Sequence, residues 1–465
     1  MNDSKMTPTE LKATCGLGAV FTLRMLGMFM VLPILASYGL ELKDANELLL
    51  GLAISIYGIS QAICQIPFGL MSDRFGRKQL IIAGLLIFIA GSVIAAMTDS
   101  IWGIIIGRAL QGAGAISASI MALLSDLTSE QNRTKAMAFM GISFGITFAI
   151  ALVLGPIITH AIGLHGLFWG ISLLAFGGIL ITRFAVPDSR YHSVNRETHF
   201  MKNSVQTVIN NRQLVKLNFG IFCLHTLLMA NFVALPLVMI DSGLAANQHW
   251  KIYLLTLLLA FITVLPFVIY AEKRRRMKQI FLLCIGILFI SELTFYFSKE
   301  QFWLIVLGLQ LFFIAFNVME ALLPSLISKE APAGYKGTAM GLYSTSQFLG
   351  VALGGILGGW LFQLNGASLV FMAGLILCTC WFFISLNMHQ PAYTSSIRLL
   401  LPQQIKDVNL LQSQLMNEPG VHEVMFDLKA LSAYIKIDKK IISRQQLETI
   451  INNQQHTTCC RIQQE

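Results

Sequence analysis

Charge is what this chain has least of. Only 12% of its 465 residues are Asp, Glu, Lys or Arg, about half the share of an ordinary soluble protein. Beside 55% hydrophobic residues, that scarcity excludes a water-soluble globular fold. The eight cysteines are scattered, with Cys64, Cys223, Cys284 and Cys378 inside apolar runs, so they form neither a disulfide framework nor a zinc-binding spacing. No glycine-rich phosphate loop ending in Lys-Ser or Lys-Thr occurs, which removes nucleotide hydrolysis as an energy source. The first ten residues lack the basic start, apolar core and small-residue exit of a cleaved signal peptide. No nucleophile–base pair or metal-ligand cluster lies at the ends of the apolar runs, so neither an enzyme nor a bound cofactor or metal is expected.

What fills the chain instead is long apolar runs. Twelve are long enough to cross a bilayer: roughly 15–39, 48–70, 80–97, 101–124, 136–159, 164–186, 214–240, 252–271, 280–297, 302–327, 339–362 and 368–386. The expected fold class is an all-α polytopic membrane protein, preceded by a short surface helix over 6–14. Lys and Arg set its orientation. Lys5, Lys12, Arg74, Arg77, Lys78, Arg133, Lys135, Arg190, Arg196, Lys202, Arg212, the run 273–278, Lys329 and Lys336 all fall on one side, against Lys43, Lys251 and Lys299 on the other. Both termini are therefore expected in the cytoplasm, and the net charge of +9 marks cytoplasmic loops rather than a nucleic-acid footprint. Trp102, Trp169, Trp250, Trp303 and Trp360 fall near the outer ends of their runs, like one aromatic belt.

The polar gap after 186 divides the runs into halves, which repeat. Ala122-Leu123-Leu124 with Leu127 reappears as Ala321-Leu322-Leu323 with Leu326, and Arg133-Thr134-Lys135-Ala136-Met137 parallels Lys336-Gly337-Thr338-Ala339-Met340. Ile66-Pro67-Phe68 with Asp73-Arg74 has a degraded partner in Leu265-Pro266-Phe267 with Glu272-Lys273. Two parallel repeats argue for transport by rocking of the halves around a central cavity. The expected domains are 1–186, a linker over 187–213, 214–390, and a soluble tail over 391–465. In the tail, strands are expected near 397–401, 421–428 and 433–437, with helices carrying Val408, Leu411 and Leu415, then Leu447, Ile450 and Ile451 behind a Ser443–Gln446 capping box. That β-α-β-β-α order, with a closing strand at 457–462, predicts a ferredoxin-like domain.

Between the second and third runs, Gly69-x-x-x-Asp73-Arg74-x-Gly76-Arg77-Lys78 resembles the signature loop of the major facilitator superfamily. Arg108-x-x-Gln111-Gly112 is similar to that superfamily's second motif, and Gly155-Pro156 to the core of the motif associated with drug/proton antiporters, though Thr159-His160 stand where a glycine pair is usual. The resemblance covers nearly the whole chain. It implies twelve helices in two halves, and a latch in which Asp73 faces the start of the eleventh helix at Gly337-Thr338-Ala339 while Arg77 pairs with Asp126. On chemical grounds, Gly69 would let a neighbouring helix approach closely and Gly76 would relieve a tight turn. The charges of the loop could also serve topology alone.

The remaining candidates are polar groups inside the runs. Arg24 lies about ten residues into its run, roughly 15 Å deep, where a charge must face a partner or water. The superfamily fold would put it in a cavity wall as a substrate or coupling residue; a structural ion pair or snorkelling is the alternative. Arg108 and Gln111 are either proton-coupling or structural. Glu320, with Asn317 three residues earlier, can carry a proton if shielded, or can be a solvated carboxylate at a cavity mouth. His225, sharing a face with Asn218, reads first as a neutral histidine bonded to another helix. Tyr57, Gln61 and Gln65, mirrored by Tyr343 and Gln347, could bind substrate or hydrogen-bond between the halves. Glu292 receives no role. The tail is similar to heavy-metal-associated domains at Pro419-Gly420-Val421, but the metal-binding position reads Leu401-Pro402-Gln403-Gln404 and Cys459-Cys460 is a poor substitute, so a protein or ligand partner fits better than metal.

The function expected is secondary active transport in a bacterial inner membrane. The form expected first is efflux of a small molecule in exchange for protons, with membrane lipid as the surrounding partner. A membrane sensor signalling through the tail, or a proton-coupled importer, are the alternatives.

Overall fold

The structure, a computed structural model, describes residues 6–128, 130–188, 202–299, 301–332, 335–390, 395–401, 408–427, 432–438, 441–442, 445–447 and 449. The side chains of Asp73, Arg74 and Arg133 are not among those described, and Arg190, Arg196, Pro402–Gln404, Ser443, Cys459, Cys460 and the strand expected at 457–462 lie outside the described residues.

Helices dominate. Helix α1 runs Pro8–Tyr38, α2 Glu47–Phe75, α3 Arg77–Ala96, α4 Ile101–Ala113, α5 Ser117–Leu127, α6 Glu130–Leu180, α7 Lys202–Asn210, α8 Arg212–Asp241, α9 His249–Lys273, α10 Met277–Ser298, α11 Phe302–Glu330, α12 Lys336–Leu386 and α13 Val408–Asn417. Among the described residues ten stretches are long and apolar enough to cross a membrane. Two of the helices, α6 and α12, are 51 residues long and are interrupted at Gly163 (φ 75°) and at Asn365–Gly366 (Gly366 φ 65°).

Three local features differ from the sequence expectation. The surface helix expected over 6–14 is not separate, because α1 is continuous from Pro8. Thr7 caps it by accepting from the Glu10 amide at 3.2 Å, Glu10 returns the bond to the Thr7 amide at 2.8 Å, and proline occupies the first turn, where its missing N–H costs nothing. The fourth run is not one helix. It opens between α4 and α5, where Ala115 and Ile116 bond only to carbonyls two residues back, at 2.8 and 2.9 Å. Gly84 of α3 and Gly114 sit backbone to backbone at this opening, and a β-carbon on Gly114 would overlap the Gly84 carbonyl. The gap before α8 also holds the short helix α7.

The described chain forms two compact units. The larger comprises residues 1–192, 216–323 and 341–388. Its outer surface is apolar: Trp303 is 78% exposed, Leu173 71% and Ile262 69%. In water such a surface would be unstable; against lipid tails it is the expected solvent face. The smaller unit comprises 193–215, 324–340 and 389–465. Its three strands, β1 Ser395–Leu400, β2 Val421–Asp427 and β3 Ser432–Ile437, form an antiparallel sheet in the order β1-β3-β2. Leu399, Val424, Ala433, Ile435 and Ile437 share one core with Leu411 and Leu415 of α13, as strand alternation and helix spacing require.

Candidate functional site

Two guanidinium groups, those of Arg24 and Arg108, are buried within the apolar runs of the amino-terminal half. Arg24 of α1 is wholly buried and donates to Gln61 Oε1 of α2 at 2.5 Å and to Ser117 Oγ at 3.2 Å. Ser117 opens α5, so the break between α4 and α5 delivers its hydroxyl to Arg24. Gln61 in turn donates to Gln65 at 3.1 Å. Arg108 of α4 donates to Gln111 Oε1 at 3.0 Å and to the Ala53 carbonyl at 3.5 Å, and Gln111 donates to Ser92 at 2.8 Å. The Tyr57 ring joins the two networks, its centroid lying 5.9 Å from the Arg24 guanidinium carbon and 4.7 Å from that of Arg108. Among the described residues no carboxylate lies within ion-pair distance of either arginine. The ring faces and amide oxygens therefore carry the burden of two desolvated cations.

A second cluster gathers α8, α11 and α12. His225 Nδ1 lies 3.3 Å from the Ile221 carbonyl of its own helix, Gln347 Nε2 lies 2.9 Å from His225 Nε2, and Glu320 Oε1 lies 3.3 Å from that same nitrogen. With Nδ1–H donating to Ile221 and Nε2 accepting from the Gln347 amide, the ring is neutral and bridges helices. The single Nε2 lone pair is then taken up by Gln347, and Nε2 has no proton to give Glu320. An ionised carboxylate would repel it, so close approach needs one proton held between the two groups. It sits either on Glu320, or on the ring with Gln347 turned to present its oxygen. The trio thus brings a carboxyl group and an imidazole within reach of one shared proton.

Of the two readings open for the polar ladders, hydrogen bonding between the halves is not what Gln61 and Gln347 do among the described residues. Gln61 bonds within the amino-terminal half and Gln347 within the carboxy-terminal half, because each finds a cationic or heterocyclic partner on its own side. Asn317 does not join Glu320; it donates to the Phe313 carbonyl at 2.8 Å, the back-bond available to a short amide within a helix. Among the described residues the halves meet at the Phe148 ring of α6, which packs against Phe232, Phe313 and Phe316, and at glycine. Gly51 and Gly58 of α2 lie against Gly355, Gly359 and the Phe348 carbonyl of α12, at the end of α2 remote from Gly76.

At that other end, Arg77 and Asp126 are buried and 2.6 Å apart. Lys78 donates to the Val186 carbonyl at 2.9 Å and to Asp188 at 2.8 Å. Gly76, at φ 97°, ends α2 and begins α3 within one residue, a backbone conformation open to glycine. Gly69 is not needed for close approach: a β-carbon there would meet its nearest neighbour, Ala118 Cβ, at an ordinary 3.9 Å.

Residues 17–350 and 217–403 match the Major Facilitator Superfamily, and residues 397–453 match the YajR YAM domain. The chain belongs to the major facilitator superfamily. It is similar to the inner membrane transport protein YajR of Escherichia coli (strain K12), with 58% identity over 451 residues, covering 97% of this chain and 99% of that protein. An uncharacterized transporter of Buchnera aphidicola subsp. Schizaphis graminum is 43% identical over 389 residues, 83% of this chain and 99% of its own. Among solved structures, a D-xylose-proton symporter matches with a TM-score of 0.64 at 16% identity, over 82% of this chain and 97% of that one. The nucleoside transporter NupG matches with a TM-score of 0.62 at 15% identity, over 80% and 98%. At such identities these two show the fold alone. The superfamily consists of membrane transporters, so this chain is a transporter and not an enzyme.

The superfamily motifs do not point to everything the site contains. Ser117 carries no sequence signal, because only the break before it aims its hydroxyl at Arg24. Glu292 of α10 had no assignment; it is wholly buried, accepts from Asn231 of α8 at 2.7 Å, and its second oxygen lies against Gly374 with no room for a β-carbon between. A single carboxylate in an apolar run gives no hint that the facing position is glycine.

Proposed function

We propose that this protein is a proton-driven secondary transporter that exports a small molecule from the cytoplasm of a bacterium across the inner membrane by alternating access. The observation that carries the reading is the Glu320–His225–Gln347 trio, a proton-holding group spread over three separate helices of one half. Gain or loss of that proton changes which contacts α8, α11 and α12 can make, and so shifts the balance between conformations. Arg24 and Arg108, two buried cations that meet no carboxylate among the described residues, favour a substrate bearing an anionic group.

The halves are read as six helices each. A helix of 51 residues would be about 77 Å long at 1.5 Å per residue, more than twice the apolar thickness of a bilayer. Breaks at Gly163 and Gly366 turn α6 and α12 into two crossings each. Twelve crossings, with domains at 1–186, 214–390 and 391–465 and a linker over 187–213, leave both termini in the cytoplasm. The observed strand order β1-β3-β2 around α13 supports a ferredoxin-like tail.

The test is flux in proteoliposomes under an imposed pH gradient, with a substrate panel that includes organic anions. The native chain should show gradient-dependent flux and Glu320→Gln should show none. Equal flux in the two would remove Glu320 from the proton path. Accumulation driven in the direction of proton flow would make the protein an importer.

A further inference from the structure

The sheet of the smaller unit has two faces, and both are covered. Ala433, Ile435 and Ile437 of β3 point into the core shared with α13. By strand alternation Ser432, Tyr434 and Lys436 point the opposite way, where a sheet packed with helices on one side meets water. Yet Tyr434 is wholly buried and Lys436 is only 8% exposed. Lysine is almost never buried without partners. Here its ammonium donates to the Lys329 carbonyl at 3.2 Å and the Glu330 carbonyl at 3.4 Å, with Glu423 of β2 at 3.5 Å. All three protons thus have an acceptor.

Those two carbonyls are the last of α11. The final carbonyls of a helix have no intrahelical donor and carry the negative end of its dipole, so a buried ammonium is the complementary cap. The capped stretch begins at Pro324, which has no N–H and so leaves the carbonyl of Glu320, four residues earlier, without its helical bond. Helix α11 can bend there. On one side of the bend is Glu320, and on the other is a lever of about two turns, 324–330, whose end Lys436 holds.

We propose that the carboxy-terminal domain grips the end of α11 through Lys436 and thereby governs bending of that helix about Pro324, beside Glu320. The outer face of the β-sheet is then a docking surface whose partner is a helix carboxyl end of the same chain. The link to proton movement rests on the role proposed above for Glu320; the grip itself does not.

Hydrogen exchange measured by mass spectrometry on the full-length protein in lipid nanodiscs tests this directly. Lys436→Met keeps the apolar stem and removes the charge. It should speed exchange across 324–331 about tenfold, the scale of losing a charge-assisted hydrogen bond, and speed 319–323 across the bend as well. Lys436→Arg should stay near the native rate. Unchanged exchange over 324–331 while the strands remain protected would overturn the grip, and a change confined to 324–331 would overturn its control of bending. Lysine acetylation of the unmutated protein needs no variant to fold: Lys436 should react at least about tenfold more slowly than exposed Lys12 and Lys251, and equal rates would also overturn the grip. In Glu320→Gln the slow acetylation of Lys436 should persist, so loss of proton-driven flux there bears on the transport reading alone.

Discussion

Gly51 of α2 faces Gly355 of α12 so closely that a methyl group on Gly51 would overlap the Gly355 carbonyl oxygen and stand 2.9 Å from the Gly359 α-carbon. The two helices belong to different halves, and this contact lies at the end of α2 away from the charged loop. Gly51→Val should hold the halves apart there. Spin labels placed near the starts of α2 and the ends of the first arm of α12 should report a population several ångströms wider than in the native chain. An identical distance distribution would mean that the glycine contact does not set that spacing.

Arg24 makes its two hydrogen bonds to residues on different helices, one bond from each terminal guanidinium nitrogen. Lysine retains the charge but has a single nitrogen and a shorter reach, so it cannot serve Gln61 and Ser117 with the same geometry. Arg24→Lys should lower transport at least about tenfold while leaving insertion and melting temperature near native, since a roughly 1.4 kcal/mol loss already gives that factor. Native flux would make Arg24 a point charge and nothing more.

The Arg77–Asp126 pair is buried on both sides, with 5% and 3% of the side chains exposed. Removing one partner strands the other charge, at a cost of about 3–5 kcal/mol. Asp126→Asn should therefore lower the melting temperature more than the double variant Arg77→Met with Asp126→Leu. The reverse order in a thermal melt in detergent would show that the attraction outweighs the desolvation it requires.

The superfamily resemblance gives Asp73 a latching role within the Gly69–Lys78 loop. Asp73→Asn should depress flux while leaving the amount of folded protein in the membrane unchanged. Gly76→Ala should do the converse: its φ of 97° is hostile to any β-carbon, so stability should fall by roughly 1–2 kcal/mol. A normal transport rate in the Asp73 variant would return the loop to topology alone.

The gross plan was legible because membranes impose it. Apolar runs of about twenty residues, a lysine and arginine imbalance, and the Gly69–Lys78 motif need no tertiary knowledge to read. Partners were harder. Arg24 and Glu320 stand out as ionisable groups in apolar runs, but nothing local shows that Arg24 meets Ser117 or that Glu320 meets His225, because those pairs are 93 and 95 positions apart. Gly69 and Gly114 reversed the expected weighting: the motif glycine has space around it, whereas the unremarked one lies against the backbone of a neighbouring helix. Close approach depends on the facing residue, which no single stretch of sequence reveals.

The interruptions at Gly163 and Gly366 have a consequence for biosynthesis. Each joins two apolar arms through only a few polar residues, Thr159, His160 and His165 at one and Gln363, Asn365 and Ser368 at the other, so there is little to dwell in water while the second arm waits to be made. Each pair should enter the bilayer as a preformed hairpin, in one step. A nascent chain halted within residues 164–175 should remain accessible at the translocation channel, and become lipid-embedded only once the arm that ends near Val186 has been completed. Crosslinking of stalled chains to lipid or to channel would decide the order.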